Sequence, residues 1–105
     1  MAQYSVYINT NQSSKKLYPY VLDVQSPVLD ALDTRLVIPL ALKGDFGDKE
    51  IHHLTPSISV KGAEYLVLTP QMAAIHRQYL GEFVRDCIEH RQDILASIDF
   101  LITGF

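Results

Sequence analysis

Apolar and polar positions switch along this chain from a period of two to steps of three and four, and the switch divides it. Tyr4, Val6 and Ile8 alternate with Ser5 and Tyr7, which predicts a short strand. Asn9 to Lys16 is a polar turn region rich in Asn and Ser. Leu17 to Val24 carries aromatic and β-branched residues and predicts a second strand, broken at Pro19 and ended by Ser26-Pro27. Leu36-Val37-Ile38 is a short apolar run, and Pro39 beside it predicts an edge strand or a bulge. Gly44 to Asp48 reads as a charged turn. Ser57 to Val60 and Tyr65 to Leu68 flank Lys61-Gly62-Ala63-Glu64, a hairpin signal. Several short strands in close succession predict a small barrel or a strongly curved sheet.

The last quarter reads differently. Val84, Cys87, Ile88, Arg91, Leu95, Ile98 and Ile102 recur at steps of three and four, which predicts an amphipathic helix from near Glu82. Glu89, His90, Gln92, Asp93, Ser97 and Asp99 fall largely on other faces. Arg91 interrupts the apolar stripe, so the helix is expected to cover the sheet in part and meet a partner with the rest. Ile98, Leu101, Ile102 and Phe105 keep the end apolar, with Gly104 where a helix would stop. Chain ends are usually polar and frayed. This one reads as held in place and offered to a second copy or to another macromolecule.

Composition narrows the classes. A length of 105 residues predicts one domain over 1–105. The hydrophobic content of 48% is that of a folded globule, with no depleted segment to suggest disorder. A net charge of −3 argues against a broad nucleic-acid face. Lys15-Lys16, the only adjacent basic pair, reads as a solvated turn. No apolar run approaches the ~20 residues of a membrane span, and the N-terminus lacks a charged-then-apolar signal. The single cysteine, Cys87, excludes an internal disulfide, so a cytoplasmic protein without membrane association is expected.

Candidate chemistry is sparse. Cys87 and His90 have a spacing seen in zinc sites, but a structural site needs four ligands, and buried packing is the better reading of the lone cysteine. His52-His53 read as exposed loop residues whose rings point apart in extended chain. His76-Arg77 reads as a surface polar pair. Asp30, Asp33 and Arg35 cluster as expected of turn capping and a salt bridge. No Gly-rich phosphate loop, nucleophile elbow or metalloprotease helix is present. The expectation is a protein that is not an enzyme, with no catalytic residue, cofactor or metal.

Particular runs carry a resemblance. Leu22-Asp23-Val24-Gln25-Ser26 and then Arg35-Leu36-Val37-Ile38-Pro39-Leu40-Ala41 resemble the CcdB family of toxins from toxin–antitoxin systems. Gln71-Met72-Ala73, Gly81-Glu82, His90-Arg91, Asp93-Ile94, Ile98 and a terminal Gly104 followed by one apolar residue match in the same order, over essentially the whole chain. The resemblance implies a mainly β (α+β) fold: a small SH3-like antiparallel barrel or curved sheet with a minor strand wing and one C-terminal helix. It moves the helix start nearer Cys87 and makes the segment around Ile75 to Leu80 extended. It further implies a homodimer whose helices meet near the twofold axis and present both chain ends to the DNA gyrase A subunit. Such a toxin traps gyrase on cleaved DNA and serves plasmid maintenance. A CcdA-like antitoxin neutralises it, and the pair represses its own operon, the DNA contact coming from the antitoxin.

Carried over by position, the gyrase contact is Thr103, Gly104 and Phe105, supported by Ser26, Val28 and Leu29 and by Arg91, Gln92 and Asp99 on the helix. In the best-known type the first of the last three residues is Trp. This sequence has no Trp, an aromatic worth about 2 kcal/mol or more at an interface, so either binding is weakened or Phe105 compensates. Val28 and Leu29 read equally well as core. For Gly104 a helix C-cap is compatible with the contact. Two other readings stand beside the gyrase poison: a gyrase-inactive homologue acting only as an antitoxin-binding co-repressor, and a MazF-like endoribonuclease toxin. The acidic balance and the Asp-Val-Gln-Ser run count against the latter.

Overall fold

The computed structural model describes residues 2–46 and 50–104. Its strands are β1 (Ser5–Asn9), β2 (Tyr20–Asp23), β3 (Thr34–Leu42), β4 (Ser57–Val60), β5 (Ala63–Val67), β6 (Ala73–His76) and β7 (Leu80–Asp86). All pairings are antiparallel in one curled sheet, ordered β4-β5-β3-β2-β1-β7 with β6 also on β3. A helical turn, α1 (Lys43–Phe46), follows β3, and the helix α2 (Arg91–Thr103) ends the described chain. The mainly β half-barrel with one C-terminal helix is the architecture expected. No helix among the described residues is long and apolar enough to cross a membrane.

The pivot is β3. Its first half pairs with β6, from Thr34↔His76 to Val37↔Ala73. Its second half pairs with β5, from Leu40↔Val67 to Leu42↔Tyr65, and the β4–β5 hairpin extends from it as a wing. Pro39 therefore lies in a central strand, not at an edge. It is tolerated because it falls between the two ladders, where neither neighbour needs its missing N–H. Its carbonyl still accepts from Leu68 N at 3.1 Å. The β4–β5 turn is tighter than expected. Lys61 and Gly62 both have positive φ, 51° and 83°, so two residues make the turn and Ala63 and Glu64 belong to β5.

The helix start predicted from periodicity is overturned. Leu80–Asp86 is a strand on β1, and α2 begins only at Arg91, after a 3-10 turn over Ile88–His90. Val84 and Cys87 pack on the core from a strand and a loop, so their spacing imitated a helix face. Gly81 permits the close approach of β7 to β1: a Cβ there would meet the Ile8 carbonyl and Thr10 Cγ2 at 2.9 Å. Within α2 the buried residues are Ile94 and Ser97, with Ile98 partly covered, whereas Leu95 and Ile102 face outward. A polar residue at a buried position hid the true face. Ser97 Oγ donates to the Ile94 carbonyl at 2.7 Å and lies 2.9 Å from Thr69 Oγ1, which pins the helix to the turn after β5. A helix of 13 residues is marginal alone, so this packing holds it.

The main core fills the inside of the curl. Val6, Leu22, Ile38, Leu40, Ile58, Val60 and Val67 meet Cys87 and Ile94 there. The opposite face of the central strands is also covered, by Tyr7, Val21 and Val37 with Ile75 and Leu80. Arg85 of β7 reaches across to donate to the Ser59 carbonyl of β4 at 2.6 Å, joining the two outer strands of the curl.

Candidate functional site

Two segments expected to contact a partner are exposed and apolar. The first follows β2. Ser26 has extended backbone and its Oγ accepts from Val28 N at 3.3 Å, while Pro27 supplies a fixed φ at the first position of a 3-10 turn over Pro27–Leu29. Val28 at its crest is 88% exposed and Leu29 about half exposed, so neither is core. Burying a Val or Leu side chain is worth about 1.5–3 kcal/mol, which leaves this turn with unused apolar surface.

What holds the turn is a buried charge network, of which the sequence suggested the Asp30–Arg35 salt bridge but not the parts of Asp23 and Gln25. Arg35, 1% exposed, sits on the same face of the sheet as Asp23, which is fully buried. Its Nε and Nη2 both donate to Asp23 Oδ2, at 3.0 and 2.7 Å, and its Nη1 donates to Asp30 Oδ1 at 2.6 Å. The other Asp23 oxygen accepts from Gln25 N at 2.9 Å. The Gln25 amide accepts from Leu36 N at 2.9 Å and donates to the Leu29 carbonyl at 3.0 Å. The Arg35 hydrogen bond, ahead of its charge, holds the Asp30 carboxyl below its ordinary value. Burial pulls the Arg35 guanidinium downward, yet hydrogen bonds to Asp30 and Asp23 outweigh it and leave it raised. From the far side Arg77 Nη2 donates to the carbonyls of Asp30, at 2.6 Å, and of Leu32. Arg77 is thus a clamp, not half of a surface polar pair. A cue existed in the Asp-Val-Gln-Ser and Arg-Leu-Val-Ile runs, but only the pairing of β2 with β3 shows that they touch.

The second segment is the outer face and end of α2. Arg91, Gln92 and Asp99 are exposed, as are Leu95, Leu101 and Ile102, the last at 72%. Thr103 Oγ1 donates to the Asp99 carbonyl at 2.7 Å. Gly104 caps the helix at φ 78°, its N–H donating to the Phe100 carbonyl at 2.9 Å. The left-handed geometry explains the glycine without any partner. Phe105 lies outside the described residues. The last turn of α2 carries no basic side chain. The two segments are held by different neighbours: the Pro27–Leu29 turn by Gln25, by Arg35 of β3 and by Arg77, and α2 by Thr69 in the turn after β5 and, through Phe100, by the His53 ring.

Other candidates resolve simply. Cys87 is buried and its thiol is pushed up to about 11 by burial, which makes it inert packing. His52 and His53 are exposed, but their rings lie 3.7 Å apart, because His53 has φ 66° and the backbone there is not extended. They line a cleft of about 210 Å³ with Glu50 and Asp93. Among the described residues no group of three or more His, Cys, Asp or Glu could hold a metal ion.

The fold is a small curled antiparallel sheet capped by one C-terminal helix, with exposed apolar side chains on the Pro27–Leu29 turn and on α2. The family model described as CcdB protein matches residues 3–104, and this chain belongs to that family. Membership points to a toxin of a toxin–antitoxin system, with an antitoxin as partner.

Proposed function

We propose that this protein is a non-catalytic gyrase poison that acts from the cytoplasm as a single toxin domain. A homodimer, its two α2 helices near the twofold axis, inserts duplicated apolar tips into the opened gyrase A subunits, so that one symmetry meets another. The tip is Thr103-Gly104-Phe105, supported by Arg91, Gln92 and Asp99, with Ser26, Val28 and Leu29 as a second contact. The observation that carries this reading is the run of outward apolar side chains along α2, Leu95, Leu101 and Ile102, which leads straight to the Gly104 cap. The toxin binds the DNA-cleaved conformation better than the closed one and so raises its population. An antitoxin masks these surfaces, and the two together repress their operon.

Purified protein added to gyrase and supercoiled plasmid should yield linear DNA after protease treatment. Removing Thr103 to Phe105 should leave the fold and the dimer intact while abolishing linearisation. Full linearisation by the trimmed protein would reject the tip. The absence of Trp favours a second reading, an antitoxin-binding co-repressor that no longer poisons gyrase. That reading requires antitoxin and operator binding with no linear product. RNA degradation without any gyrase effect would instead favour a ribonuclease and overturn both.

A further inference from the structure

We infer that Gln25, Asp30 and Arg35 are positioning residues for the partner contact at the Pro27–Leu29 turn, an assignment that rests on the gyrase reading of that turn. The turn has three residues and too few internal hydrogen bonds to fix its own direction. Its own bonds, from Val28 N to Ser26 Oγ at 3.3 Å, from Leu29 N to the Ser26 carbonyl at 3.0 Å and from Asp30 N to the Pro27 carbonyl at 3.2 Å, shape it, and what sets it on the sheet comes from outside. The Leu29 carbonyl is taken by the Gln25 amide at 3.0 Å, and Gln25 is itself anchored by Leu36 N and by Asp23. The residue after the turn, Asp30, is taken at its carboxylate by Arg35 and at its carbonyl by Arg77, both at 2.6 Å. Arg35 in turn stands on Asp23, fully buried against β2. A rigid sheet thus aims Val28 outward through the charge-assisted bonds of Asp23, Asp30, Arg35 and Arg77 and the amide bonds of Gln25, none of them made by the Val28 side chain itself.

Such preorganisation matters to binding because a loose turn must be ordered at the partner's surface. Arg35 cannot be the test residue, since losing it strands a buried Asp23. Asp30, whose side chain is 49% exposed, and Gln25 can be. Asp30→Ala should keep a melting temperature near that of the parent, Gln25→Met should lower it because Leu36 N loses its partner, and both should lose amide exchange protection at Leu29 and Asp30 beyond that lost in the strands. Asp30→Ala should bind the gyrase A subunit about tenfold more weakly, the scale of one hydrogen bond to a charged group, and Gln25→Met about fivefold, the scale of a neutral one. Asp30→Glu, which keeps a carboxylate for Arg35, should regain most of both. Val28→Asp separates the two claims. If Val28→Asp abolishes binding while Asp30→Ala and Gln25→Met bind and exchange like the parent, the positioning role is overturned and the gyrase reading stands. If Val28→Asp binds like the parent, the turn is no gyrase contact and both fall.

Discussion

The two exposed apolar prominences are held by opposite means. α2 supplies its own rigidity through backbone hydrogen bonds and needs only to be pinned, by one hydroxyl pair, Thr69–Ser97, and by Ile94 in the core. The Pro27–Leu29 turn has only a few hydrogen bonds of its own and is set on the sheet by the Gln25 amide, by Arg77 and by Arg35, itself paired with buried Asp23. The lesson is that a short turn can display an apolar side chain as firmly as a helix if the sheet below carries directed charge. That firmness depends on every charge keeping its partner, because a buried charge left alone is strongly destabilising.

The comparison can be broken from the turn's side first. Arg35→Met removes the guanidinium and leaves Asp23 buried without its ion pair, so a loss of about 3–5 kcal/mol is expected in urea denaturation. A loss below about 1 kcal/mol would mean that the pair does not hold the sheet. From the helix side, Ser97→Ala leaves Thr69 Oγ1 buried without that partner and should cost about 1–3 kcal/mol. Adding Thr69→Val to it should recover much of that loss, which a double-mutant cycle would measure; simple additivity would dismiss the pin.

The smallest effect is acid sensitivity. Asp30 has a folded-state pKa below the ordinary 3.8, chiefly through its hydrogen bond from Arg35. The unfolded chain then takes up the proton more readily than the folded one. The contribution of Asp30 is whole above about pH 4 and disappears as pH falls through its folded value. An NMR titration of the carboxyl should show this, and the stability gap between the parent and Asp30→Asn should close in acid. A gap that persists unchanged at low pH would deny Asp30 its charged role.

Much of the sheet was legible, since Val6, Leu22 and Ile38 alternate with residues of the opposite face as strand geometry demands. The helix was legible only as a helix. Its buried face was misassigned because Ser97 occupies a core position and Val84 and Cys87, from a strand and a loop, fell into step with it. Val28 and Leu29 could be read as core until the turn was seen to project them outward.

Neighbours along the chain suffice to fix the first five strands, the hairpin around Lys61-Gly62, the glycine that ends α2 and the family runs, so these were legible in the sequence. Only the tertiary structure decided that Pro39 could sit inside a sheet, that Leu80–Asp86 is a strand, and that Asp23, Gln25, Asp30 and Arg35 form one network. Those outcomes depend on which strand lies beside which. Hydrogen bonds and ion pairs act over a few ångströms of space, whatever the distance along the chain.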